Sequence, residues 1–124
     1  MSVIPLLPVF HRFNRKFFDN SLTINHEPLV KVKWSDNRLK TTAGFYKRKQ
    51  YRGIIESEII LSKPILSKLS CNEIYSTLCH EMIHAWVDRI LKIKEIHGPN
   101  FLSKMNEINH EQDTFQISVR HNFP

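Results

Sequence analysis

The sequence predicts an α+β fold: a small, mainly antiparallel three-stranded sheet packed with helices. Three observations predict it. Strand-like segments follow one another at residues 30–34, 43–47 and 53–62 with short links, the pattern of an antiparallel meander. A long helical pattern comes next, at residues 71–93, and it is apolar around most of its circumference. Shorter helical patterns lie before the strands and after the long helix. With 124 residues there is length for one domain, residues 1–124, and too little for two substantial ones. The hydrophobic fraction of 41%, with eight Phe and two Trp, can fill a core and excludes a disordered chain.

Each element has its own signal. Over residues 8–20, Val9, Phe10, Phe13, Phe17 and Phe18 recur at helical spacing, with His11, Arg12, Arg15 and Lys16 between them; Asn20-Ser21 marks the stop. Val30 to Trp34 alternates apolar and basic residues, the period of a half-buried strand, and Asp36-Asn37 supplies a turn. Ala43 to Lys47 is a second strand, entered through Gly44. The polar run Lys47 to Arg52, closed by Gly53, reads as a hairpin turn, and isoleucine-rich Gly53 to Ser62 reads as the third strand. Pro64 opens a short helix, where its missing N–H does no harm. Ser70 with Glu73 fits a capping box for the long helix. Pro99 starts a helix with Phe101, Leu102, Met105 and Ile108 on its apolar face, and Thr114 to Val119 alternates as a last strand. No repeat, low-complexity tract or interdomain linker is visible.

Eighteen basic residues against twelve acidic ones give a net charge of +6, which favours polyanionic partners. The two cysteines, Cys71 and Cys79, form no Cys-x-x-Cys pair. On one helix they stand about 12 Å apart, too far to bridge. A reducing, intracellular setting fits. Met1 to Phe10 lacks a basic n-region and a cleavage site, and no apolar run reaches membrane-spanning length, so no membrane association is expected.

The chemistry lies in His80-Glu81-Met82-Ile83-His84. Positions i and i+4 share one helix face, so the two imidazoles can converge on one metal ion, with zinc the natural choice. Glu81 projects roughly 100° around the helix from His80, outside the ligand set but close enough to act as general base toward a water polarised by the metal. A catalytic site needs a third protein ligand and an open position. His97, in the sharp turn His97-Gly98-Pro99, is the first choice; Glu95, Glu107, His110 and His121 compete. Short motifs arise by chance. Here, however, the pattern sits mid-helix among apolar residues, where unpaired histidines and a glutamate are costly.

Leu78 to Ala85 followed by His97-Gly98-Pro99-Asn100-Phe101 resembles the SprT-like domain family, nearest its DNA-dependent protease branch. The likeness runs from about residue 9 to 121. It takes in Phe10 to Phe18, Val30 to Trp34, Ala43-Gly44, Ile54 to Ser62 and Met105 to Asn109. It implies a zincin-like metalloprotease fold that includes the motif helix, His80, His84 and His97 as ligands of one zinc ion, and Glu81 as the catalytic glutamate. It further implies an endopeptidase cleaving proteins bound or crosslinked to DNA, at work on chromatin or in the nucleus of a eukaryote; a monomer is expected. No cysteine follows Cys79 that could build the second zinc-binding piece found in that branch.

Residues 37–55 carry no acidic side chain. Lys47, Arg48, Lys49 and Arg52, with Arg38, Lys40, Tyr46 and Tyr51, could neutralise phosphates and stack on bases of single- or double-stranded DNA, or could simply be a solvated hairpin. Trp34 is a candidate wall of the substrate cleft or a core residue. Ile54 to Ser62 is either an edge strand that pairs with substrate or an interior one. Tyr46 and His121 are candidate oxyanion donors, and Cys79 reads as a buried structural thiol. Two other functions compete: a noncatalytic DNA-binding module with a structural zinc, and a zinc hydrolase of a non-protein substrate.

Overall fold

The computed structural model describes residues 4–36 and 42–120. Helix α1 (Leu6–Phe17) buries Leu6, Val9, Phe10, Phe13 and Phe17 along one stripe. It starts earlier than expected. Pro8 falls in the first turn, where backbone N–H groups have no helical acceptor, so it costs no bond. Buried Asn14 closes its end: the side-chain Oδ1 accepts the Leu22 N–H at 3.0 Å and Nδ2 donates to Thr23 Oγ1 at 3.2 Å. Strands β1 (Thr23–Ile24) and β2 (Glu27–Pro28) follow as a small hairpin that the sequence pattern did not announce. Its central residues Asn25 and His26 take φ values of 53° and 68°, as a two-residue hairpin turn requires.

The main sheet contains β3 (Lys31–Trp34), β4 (Gly44–Tyr51) and β5 (Ile54–Leu61) in the order β3-β5-β4. It is therefore not a meander. β4 is antiparallel to β5 from Gly44 opposite Leu61 to Tyr51 opposite Ile54, whereas β3 runs parallel to β5. The eight-residue antiparallel ladder outweighs the four-residue parallel one, so the sheet remains mainly antiparallel. β5 is enclosed because Ser57, Ile59 and Leu61 all bury on its helix-facing side. An edge position would leave that row half covered. The expected turn at Lys47–Arg52 shrinks to Arg52 and Gly53, with φ of 50° and 80°. Lys47 to Gln50 are exposed residues of the strand itself and not of a turn.

Helix α2 (Lys63–Leu66) is capped by Ser62, whose Oγ accepts the Ile65 N–H at 3.2 Å. Helix α3 (Cys71–Trp86) runs on into a π-helical turn (Val87–Leu91) and stops where Lys92 turns left-handed at φ 57°. Ser70 precedes α3, but its side chain makes no capping bond, so the expected box with Glu73 does not form. Helix α4 (Pro99–Glu111) has Pro at its start, as read from the sequence.

The expected strand at 114–119 is absent. Its backbone partners are side chains of α4 and its end: Asn109 holds both the N–H and C=O of Ile117 at 2.8 Å, and Gln112 holds Thr114 and Phe115. Alternating residues thus reach the core without a sheet. The core lies between the sheet and α1, α3 and α4, around Phe10, Phe18, Leu78, Met82, Ile83 and Phe101. Among the described residues no helix is long and apolar enough to cross a membrane.

Candidate active site

Helix α3 supplies the centre of the site. Thr77 through Ile83 are all buried, including His80 and Glu81 at 3% exposure each. A polar pair so enclosed must have partners. For His80 one is visible: Nδ1 lies 2.9 Å from the Ser118 carbonyl oxygen. A carbonyl can only accept, so Nδ1 carries a proton, which in the neutral imidazole leaves Nε2 its lone pair. The Asn109 clamp on Ile117 holds that carbonyl in place.

His97 comes from the loop between the π-helical turn and α4. Its Nε2 stands 3.4 Å from Nε2 of His80. The three imidazoles form a nearly equilateral triangle, with ring centroids 5.0 Å apart for His80–His84, 5.2 Å for His80–His97 and 5.0 Å for His84–His97. One ligand atom from each lies within 4.8 Å of the other two, so the group could hold a metal ion. Fully buried Phe101 underlies all three, with centroid distances of 5.0, 4.6 and 4.8 Å. Its ring packs against all three imidazoles.

The triangle opens on a cleft of about 940 Å³ that Glu81 also lines. The cleft is lined by the first half of β4, from Gly44 to Tyr46, with Arg48, by the loop Ile93–His97, and by Val119 and Arg120. β4 is an outer strand of the sheet, so its edge, and not that of interior β5, borders the cleft. Gly44 has no room for a side chain: a Cβ would stand 2.8 Å from Leu61 Cδ2 and 3.2 Å from Thr77 Cγ2. That close approach lets β4 lie directly over α3.

Asp88, which the motif did not flag, sits in the same cleft. It follows His84 by four residues, one further turn along the same helix, and that spacing was its only sequence signal. Tyr46 donates its phenolic hydrogen to Asp88 Oδ2 at 2.5 Å, and Arg48 Nε lies 3.2 Å from Oδ1. Burial, then the bond to Asp88, pushes the Tyr46 phenol well above its ordinary range. In this arrangement the Tyr46 hydroxyl is engaged with Asp88 at the cleft wall.

The remaining candidates fall elsewhere. Trp34 packs against the core, donates Nε1–H to the Ile4 carbonyl at 2.9 Å, and is not among the residues lining the cleft. Glu95 lines the cleft, but both carboxylate oxygens are bonded at the start of α4. Glu107 pairs with Lys104 at 2.7 Å, and His110 lies outside the imidazole group. His121, Arg38 and Lys40 lie outside the described residues. In the hairpin, Lys47 stands opposite Glu58 and Lys49 opposite Glu56. Its positive charge is thus partly offset by β5. Arg52 at the tip lies over the Tyr51 ring at 5.2 Å. Cys79 is fully buried, and burial drives its thiol pKa far up.

Residues 6–121 match the SprT-like family. The chain belongs to that family. It is 36% identical over 117 residues to the DNA-dependent metalloprotease SPRTN of Danio rerio, covering 93% of this chain and 17% of the relative. The DNA-dependent metalloprotease dvc-1 of Caenorhabditis elegans is 36% identical over 119 residues, covering 93% of this chain and 30% of the relative. For SPRTN of Homo sapiens the identity is 36% over 120 residues, with coverage of 95% and 23%. The SprT-like chain therefore spans less than a third of these relatives.

Proposed function

We propose that this chain is a zinc-dependent endopeptidase domain, acting as a monomer on proteins bound or crosslinked to DNA. The observation that carries the reading is the meeting of three imidazoles beside Glu81 in an open cleft. The donor set suits zinc. Two nitrogens about 2.0–2.1 Å from one tetrahedral ion stand roughly 3.3 Å apart, and the Nε2 atoms of His80 and His97 are separated by 3.4 Å. His80, His84 and His97 would hold the ion and leave a fourth position toward the cleft. Once bound, zinc supplies Lewis acidity, which acidifies water and polarises a carbonyl.

Glu81 takes the proton of the attacking water and passes it to the departing amine. The outer edge of β4 orders an extended substrate by strand addition, a mode that reads backbone more than side chains and so tolerates many sequences. A purely structural zinc would have no use for a carboxylate at Glu81, so that alternative gains nothing from this geometry.

The DNA role is supported by the relatives, which are DNA-dependent metalloproteases, and by the net charge of +6. Contact is assigned to Lys47, Arg48, Lys49 and Arg52. Exposed Tyr51 beside Arg52 offers a stacking surface at the hairpin tip. In a eukaryotic cell such a domain works in the nucleus on chromatin.

The test is histone cleavage by zinc-loaded protein, with and without single- and double-stranded DNA, beside Glu81→Gln. Wild type cleaves with DNA present, and Glu81→Gln loses about 10²-fold or more while keeping its zinc. Equal background from both proteins with every DNA form refutes the peptidase reading. Reversing the charges at Lys47, Arg48, Lys49 and Arg52 weakens DNA binding and flattens its salt dependence; unchanged binding removes the hairpin from the DNA surface.

A further inference from the structure

The third imidazole is delivered by a loop, and a loop needs something to hold it. His80 and His84 stand on one rigid helix. His97 lies in the loop between the left-handed stop at Lys92 and the first turn of α4. Its position is only as good as the closure of this short connection.

Glu95 closes it. Oε1 accepts the Phe101 N–H at 2.7 Å and Oε2 accepts from Asn100 Nδ2 at 3.2 Å. Phe101 is the third residue of α4, so its N–H is one of the four that a helix start leaves without an intrahelical partner. A carboxylate there is favoured both as acceptor and as a negative charge at the positive helix end. Glu95 thus plays the part usually taken by the residue just before a helix, but from two residues upstream of His97, so the bond loops around the imidazole's own attachment point.

Gly98 makes room for this. Its φ is −86°, open to any residue, so backbone freedom is not the reason for glycine. A Cβ at Gly98 would stand 2.8 Å from Glu95 Oε2 and 2.9 Å from Cδ. The glycine leaves space for the carboxylate to fold over the turn. The same Phe101 whose N–H is held by Glu95 places its ring under all three imidazoles. One contact therefore registers both the loop carrying His97 and the ring beneath the cluster.

We infer that Glu95 is a positioning residue that pre-sets His97 for metal binding through its bonds to the start of α4, and that Gly98 serves this contact. The inference rests on the three imidazoles being a metal site. Outer partners of this kind typically set metal affinity by 10–100-fold.

The experiment measures zinc affinity by competition with a chromophoric chelator, and the visible absorption of the cobalt-substituted protein. The proteins are wild type, Glu95→Ala, Glu95→Gln and Gly98→Ala. The expected result is a 10–100-fold loss for Glu95→Ala with an altered cobalt band, at unchanged far-ultraviolet circular dichroism of the metal-free protein. Glu95→Gln, which keeps an acceptor oxygen for the Phe101 N–H, recovers most of the affinity. Gly98→Ala, which keeps the carboxylate but displaces it, shifts toward Glu95→Ala. Affinity and spectrum unchanged in Glu95→Ala overturn the inference. So does a loss no larger than the fall in folded fraction. A wild type that binds no zinc overturns the metal-site reading itself, which separates the two failures.

Discussion

Asn109 offers the sharpest test of how the fold tunes the candidate site from a distance. Its side chain replaces a missing strand partner by bonding both backbone groups of Ile117, which is 3% exposed. Asn109→Ala strands two buried backbone groups. At about 1–3 kcal/mol for each, less what a relaxing segment recovers, the cost is roughly 2–4 kcal/mol. For a domain of this size that lowers Tm by roughly 8–15 °C. The second effect is specific. Once Ile117 is loose, the neighbouring Ser118 carbonyl no longer fixes the Nδ1–H of His80. A tenfold loss of zinc affinity removes about 1.4 kcal/mol of zinc-linked stability at saturating metal. Thermal melts with and without zinc separate the two effects, and Gln112→Ala is the control. Gln112 holds Thr114 and Phe115 in the same segment without reaching residue 118. Both variants melt lower than wild type, but only Asn109→Ala narrows the zinc-induced rise in Tm. An undiminished rise in Asn109→Ala would refute the link from α4 through Ser118 to His80.

Two further predictions follow from packing. Gly44→Ala drives a methyl group against Leu61, the Ile60 carbonyl and Thr77. Overpacking of this kind costs about 1–3 kcal/mol and lifts β4 from α3, so Tm falls by roughly 5 °C or more; a melt identical to wild type contradicts the close approach. Cys71 is exposed and Cys79 is fully buried with its thiol held protonated, so a thiol reagent labels the native protein once and the urea-unfolded protein twice. Two rapid equivalents in native buffer would show that α3 opens readily around His80.

The sequence made legible what repeats locally. The spacing of His80 and His84, the apolar stripe of α1, the alternation of β3 and the proline start of α4 each follow from one element's own period. Strand order was not legible, because alternation reveals which face of a strand is buried and not which neighbour it takes. The parallel pairing of β3 with β5 arises from enclosing Ser57, Ile59 and Leu61, a tertiary demand. Thr114 to Val119 misled for a related reason. Alternation reports one buried face, and that burial can be served by side chains such as Asn109 as well as by a neighbouring strand.

The site divides along the same line. His80, Glu81 and His84 share a helix, so their meeting needs nothing beyond helical geometry. Everything that completes the cluster crosses between elements: His97 from a loop, Phe101 from α4, the Ser118 carbonyl from the C-terminal segment, and Asp88 with Tyr46 across the β4–α3 contact. Glu95 shows why residue type alone misleads in such places. A carboxylate two residues before a candidate ligand histidine reads as a rival donor. In the fold its oxygens are spent on the Phe101 N–H and the Asn100 amide, and they act on the cluster only through the backbone they hold. The chemistry of this site therefore depends on the three-dimensional order of α3, α4 and the loop between them. A change at Glu95 or Asn109 should be felt at the imidazoles though neither side chain belongs to the ligand group.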